Sequence, residues 1–193
     1  MKQSLQEIWQ ELANEGYETD KGSIHAYIPV YEQILEPYRE TAKNVIEIGI
    51  FHGNSLRMWE RYFTNASVFG VDCSDQPING MADLRPMIAS GKHNIHILDG
   101  TSDEQIEKEF AGVKFDIVWD DGSHLLEHQL QTVKIFGKRL APNGIIILED
   151  IQDLDKDMWA FEALTSEYDV TVADLRSKKG RYDDCLIIIK NKQ

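Results

Sequence analysis

Residues 45–56 read VIEIGIFHGNSL, and this stretch decides how the rest of the chain is read. Its first residues are apolar, as in a strand buried on both faces of a parallel sheet. The run then breaks at Gly49 and Gly53. Gly49 permits a tight turn, and Gly53 lets the backbone approach a ligand or a neighbouring strand. Asn54 or Ser55 is placed to cap a following helix. A strand, a glycine turn and a helix N-terminus in succession predict a nucleotide-type pocket.

Outward from that stretch the pattern becomes regular. Apolar runs at 68–71, 95–98, 115–119 and 145–148 alternate with helix-compatible segments at 55–63, 81–90, 102–110, 125–140 and 158–164. Pro86 weakens the second of these helices, and Pro142, Asn143 and Gly144 predict a turn. Strand–helix alternation predicts an α/β fold, a doubly wound, Rossmann-like and mostly parallel sheet. Two final runs, 170–175 and 185–190, flank the turn-rich SKKGRYDD without a convincing helix between them. They are therefore expected to pair antiparallel at one edge. Ahead of the sheet, 4–13 and the second half of 18–35 carry apolar residues at helical spacing, with Pro37 near the end. Residues 1–40 are read as a helical cover segment of the same domain, and 41–193 as its Rossmann-like body.

The chain has 193 residues, 33 of them acidic and 20 Lys or Arg, for a net charge of −13. That balance argues against a polynucleotide partner, which calls for a basic face. It suits a soluble protein able to hold a cation. Cys73 and Cys185 form no CxxC pair, which fits a reducing, cytoplasmic setting. The first residues lack the apolar run of a signal peptide, and no run reaches the roughly 18 apolar residues of a membrane span.

The chemistry sits where the apolar runs stop. They end at Glu47 and Gly49, at Asp72, at Asp99, at Asp120 and Asp121, and at Glu149 and Asp150. In open parallel sheets, ligands bind outside the carboxyl ends of the strands. Asp72 can accept both hydroxyls of a ribose, or cap the next segment. Asp99 lies where an adenine could rest, or serves as a turn residue before Gly100. If the fourth and fifth strands are neighbours, Asp120, Asp121, Glu149 and Asp150 converge within about 5 Å. Like charges that close raise one another's pKa unless a cation intervenes. Hard oxygen donors suit Mg²⁺, with Mn²⁺ or Ca²⁺ as alternatives. His124, three residues after Asp121, is placed to act as a general base. His128, one turn further, reads as a packing or supporting residue.

These residues resemble the class I S-adenosylmethionine-dependent methyltransferases. Glu47, Gly49 and Gly53 match the E-x-G-x-x-x-G loop, and Asp72 the acidic residue ending strand two. More narrowly, TDKGSIHAYIPVYEQIL, WDDGSHLLEHQLQTVKIF and APNGIIILEDIQ resemble the macrocin and mycinamicin sugar O-methyltransferase group, over about residues 18–190. The resemblance implies metal-dependent O-methyl transfer to a hydroxyl of a small molecule, a glycoside or natural product. It implies that Asp121, Glu149 and Asp150 hold the metal, and that His124 takes the hydroxyl proton. Glu47, Gly49, Gly53, Ser55, Asp72, Asp99 and Asp120 would face the cofactor. The TDK segment resembles the group's cover over that cofactor, where Lys21, His25 and Tyr31 stand out. Members of the group tend to be longer, with added segments that shape the acceptor pocket or join subunits, so the acceptor is less defined than the reaction. No membrane partner is expected, and a homo-oligomer stays open. Two rival readings fit these residues less well. An NAD(P)-dependent oxidoreductase would call for G-x-G-x-x-G, which Phe51 and His52 interrupt. A non-haem iron hydroxylase would call for a triad such as Asp121, His124 and His128, which leaves Glu149 and Asp150 without a role.

Overall fold

The computed structural model describes residues 2–76 and 83–192. Five parallel strands come first in the sheet: β1 (Asn44–Ile48), β2 (Ser67–Asp72), β3 (Asn94–Ile97), β4 (Phe115–Asp120) and β5 (Leu140–Leu148). β6 (Tyr168–Asp174) and β7 (Cys185–Asn191) complete it. The order is β3-β2-β1-β4-β5-β7-β6, with β7 antiparallel to both β5 and β6. The expected antiparallel pair is present, but β7 inserts beside β5 and leaves β6 as the edge.

Side chains alternate between two cores, as the two-residue strand period requires. Val45, Ile117, Trp119, Ile145 and Ile147 face one, and Ile46, Val118, Ile146 and Leu148 the other. The first core is covered by α1 (Leu5–Asn14), α3 (Tyr27–Leu35) and α4 (Asn54–Tyr62), with the short α2 (Asp20–Ser23) between the first two. The second is covered by α6 (Asp103–Phe110), α7 (Leu126–Gly137) and α8 (Leu154–Ala163); the short α5 (Arg85–Ala89) packs on the first core through Met87. α1 begins at a capping box in which the Ser4 side chain accepts from Glu7 N–H and the Glu7 carboxylate accepts from Ser4 N–H.

Three expectations need correction. Pro142–Gly144 form no separate turn. They lie inside β5, where Phe115 pairs with Leu140 and Ile117 with Ile145, so the extra residues are absorbed as a bulge that tolerates proline. The weak helix of 81–90 shortens to Arg85–Ala89, with Pro86 in its first turn, and 81–82 lie outside the described residues. Neither Asn54 nor Ser55 caps α4. Gly53 holds that position with φ 72°, while Asn54 and Ser55 are the first residues of the helix and bond Glu18 and Glu47 through their side chains.

Strand order reverses between β1 and β4, the neighbours at the centre of the sheet. The loops leaving these two strands part there and open a crevice.

Candidate active site

A pocket of about 520 Å³ lies over that crevice. Its floor is the loop after β1. Gly49 has φ 88°, and a Cβ there would sit 2.1 Å from the Asp121 carbonyl oxygen, so the crossing of the β1 and β4 loops demands glycine. Asp72 stands at the end of β2, and its Oδ2 accepts from the Ile50 N–H at 2.9 Å. One carboxylate thus holds the glycine loop and lines the pocket. The cover supplies the opposite wall through Glu18, Thr19 and Asp20, and Asn54 Nδ2 donates to the Glu18 carbonyl at 2.8 Å. Five carboxylates line the pocket: Glu18, Asp20, Asp72, Asp121 and Asp150. Among the described residues no lysine or arginine does.

The strand-end residues divide into two groups that share Asp121. Ligand atoms of Asp121, His124 and Asp150 lie within 4.8 Å of one another and border the pocket. His124 Nε2 is 3.9 Å from Asp150 Oδ2, and its buried Nδ1 has no hydrogen-bond partner among the described residues. Both residues have left-handed backbones, φ 58° at His124 and 55° at Asp150, a strained geometry that concentrates at functional sites. Tyr27 donates to the other oxygen of Asp150 at 2.7 Å.

The second group lies deeper. Glu47, Asp121 and Glu149 surround the Lys21 ammonium, which stands 2.5 Å from Asp121 Oδ2, 2.7 Å from Glu149 Oε2 and 3.5 Å from Glu47 Oε1. The remaining oxygen of Glu149 accepts from Tyr31 at 2.6 Å. Burial pushes the Glu149 carboxyl up to about 8, against the pull of Lys21. It also lifts Asp121 well above the carboxylate range, helped by Glu149 and Asp150. For Lys21 itself burial favours proton loss, but its three carboxylate neighbours outweigh it and hold the ammonium protonated.

The other expected residues are spread more widely. Glu47 faces inward and is fully buried, accepting from Ser55 Oγ at 2.8 Å and Trp59 Nε1 at 3.2 Å. Ser55 and Gly49 border the pocket, whereas Gly53 sits behind it against Met87. Asp99 is exposed and accepts from Thr101 N–H at 2.9 Å, a local turn outside the pocket lining. Asp120 is buried, accepts from Gly122 N–H at 3.2 Å and has its carboxyl raised by burial. His128 turns to Ser123 Oγ at 2.7 Å and stays out of the carboxylate groups. Glu18 and Asp20 were missed as pocket residues. The only signal for them was their position in the polar half of the cover segment.

The fold and pocket together define a Rossmann-like methyltransferase domain. The chain belongs to the Methyltransf_24 family, whose model, described as a methyltransferase domain, matches residues 46–151, over half of the chain. The 8-demethyl-8-alpha-L-rhamnosyl tetracenomycin-C 2′-O-methyltransferase of Streptomyces olivaceus is 34% identical over 143 residues, 69% of this chain and 35% of its own length. Demethylmacrocin O-methyltransferase of Streptomyces fradiae is 31% identical over 137 residues, 67% of this chain and 33% of its own. A solved structure described as the MycE methyltransferase from the mycinamycin biosynthetic pathway, in complex with Mg, SAH and mycinamycin VI, superposes with a TM-score of 0.74. It covers 100% of this chain and 55% of that one at 19% identity, a likeness of fold. These relatives bear out the resemblance to the macrocin and mycinamicin group. The chain spans about a third of the length of the curated relatives it matches.

Proposed function

We propose that this chain transfers a methyl group from S-adenosylmethionine to a hydroxyl of a small molecule, a sugar of a glycoside, with the help of a divalent cation. The observation that carries this reading is the charge of the pocket: five carboxylates and no lysine or arginine among the described lining residues. A dinucleotide pyrophosphate would meet repulsion there, while a sulfonium and a divalent cation are favoured. This also sets the oxidoreductase reading aside. His128, turned away from Asp121 and His124, removes the third member of the iron triad.

The residues present fit a hard divalent cation. Asp121 and Asp150 offer carboxylate oxygens at the pocket edge, and the chemistry of that donor set suits Mg²⁺. Glu149 would join them once its contact with Lys21 is given up. Bound there, the metal would lower the pKa of an acceptor hydroxyl, and S-adenosylmethionine would supply the methyl group. His124, whose Nε2 stands 3.9 Å from Asp150 Oδ2, lies beside this position and takes the hydroxyl proton. Asp72 holds the glycine loop and presents its carboxylate to the ribose. Gly49 keeps the loop low enough for the cofactor to lie along it. Much of the rate comes from aligning acceptor oxygen and methyl carbon.

The test is methyl transfer from labelled S-adenosylmethionine to a panel of glycosides bearing vicinal hydroxyls, with Mg²⁺ and with EDTA. Melting is followed alongside with S-adenosylhomocysteine and with NADH. Labelled glycoside that disappears with EDTA supports the reading. Stabilisation by NADH and none by S-adenosylhomocysteine overturns it.

A further inference from the structure

Lys21 belongs to the cover, not to the sheet, yet its ammonium lies at the meeting point of three strand ends. It is 1% exposed and contacts Asp121, Glu149 and Glu47, which follow or end β4, β5 and β1. Both oxygens of Glu149 are taken from the cover side, one by Lys21 and one by Tyr31. One oxygen of Asp121 is taken as well. A divalent cation that engages Glu149 together with Asp121 must therefore approach the place the ammonium fills. Two cations a few ångströms apart in a medium of low polarity repel strongly.

We infer that Lys21 is a tethered cation that exchanges with the divalent metal at the Asp121–Glu149 pair, so that metal entry expels the ammonium from the acid cluster. The inference rests on the metal-dependent reading above. The cover is also held by contacts that do not involve this cluster. Lys179 Nζ donates to the carbonyls of Gly22 at 2.6 Å and His25 at 2.8 Å, and Asn54 holds Glu18. The exchange thus moves the Lys21 side chain and its immediate turn, which forms part of the pocket wall through Thr19 and Asp20. Linkage makes the effect reciprocal: whatever seats the ammonium weakens the metal, and the reverse.

The experiment uses the intact wild-type chain. Mn²⁺ binding is counted by electron paramagnetic resonance, and reductive methylation of Lys21 is followed by mass spectrometry with and without the ion. The inference expects Lys21 to resist labelling in the metal-free chain. With one Mn²⁺ bound, it expects labelling at least about tenfold faster, within the usual range of coupling between sites. The Lys21→Met chain, if it folds, should bind Mn²⁺ about tenfold more tightly. Lys21 still protected with one Mn²⁺ bound per chain overturns the exchange and leaves the metal-dependent reading standing. Mn²⁺ binding weakened by Lys21→Met also overturns it. No bound Mn²⁺ at all overturns both.

Discussion

Lys21 Nζ lies 2.7 Å from Glu149 Oε2, and both side chains are sealed from solvent. The two residues are 128 positions apart in the chain. Their contact pins the N-terminal cover to the centre of the sheet. It also places a fixed positive charge inside the most acidic part of the molecule.

Removing that charge leaves three carboxylates, Glu47, Asp121 and Glu149, without their shared partner. Breaking a buried pair from one side typically costs about 3–5 kcal/mol. Lys21→Met should therefore lower the melting temperature by about 6–20 °C at neutral pH, given about 2–4 °C per kcal/mol for a domain of this size. Mg²⁺ should restore part of the loss. Calorimetry with and without Mg²⁺ checks both, and a melting temperature within 2 °C of wild type would refute the burial argument.

Gly49 and Gly91 both have positive φ, 88° and 64°, but only Gly49 faces backbone that a Cβ would strike. Gly91→Ala should cost about 1 kcal/mol of conformational strain. Gly49→Ala should cost about 3 kcal/mol or more and abolish binding of S-adenosylhomocysteine, since the crossing loops must separate. Denaturant titration and isothermal calorimetry of the two variants make the comparison.

His124→Gln should lower the rate of methyl transfer by about 10²–10⁴-fold, the usual contribution of a positioned general base. Affinity for S-adenosylhomocysteine should stay within about threefold, because His124 carries no fold-stabilising hydrogen bond through Nδ1. An equal fall in affinity would mean that His124 binds cofactor instead of moving a proton.

The two cysteines should differ sharply toward alkylation. Cys73 is exposed, whereas Cys185 is buried in β7 and its thiol is pushed up to about 12 by burial and by Asp174. The thiolate is the reactive form, so Cys185 stays inert at pH 8 in the native chain. Iodoacetamide should add one group to the folded chain and two after denaturation, as read by intact mass.

Residue types and their order along the chain determined the class of this protein. Short, mostly apolar runs such as Val45–Ile48 and Ile145–Leu148, bounded by glycine and turn residues, read as strands buried on both faces, and the helices between them call for parallel neighbours. The glycine loop and the strand-end carboxylates followed from that arrangement, because parallel strands deliver their C-terminal ends to one edge. What lay beyond reach was which carboxylate meets which partner. Glu47, read as a pocket residue, turns inward to Ser55 and Trp59. Asp99 stays in its own turn, and β7 slips between β5 and β6. Above all, Lys21 reaches Asp121 and Glu149 across 100 and 128 residues. Periodicity reports which face of an element is buried. The direction of a long polar side chain within that face depends on packing and charge neutralisation among distant segments, and only the tertiary structure decides it.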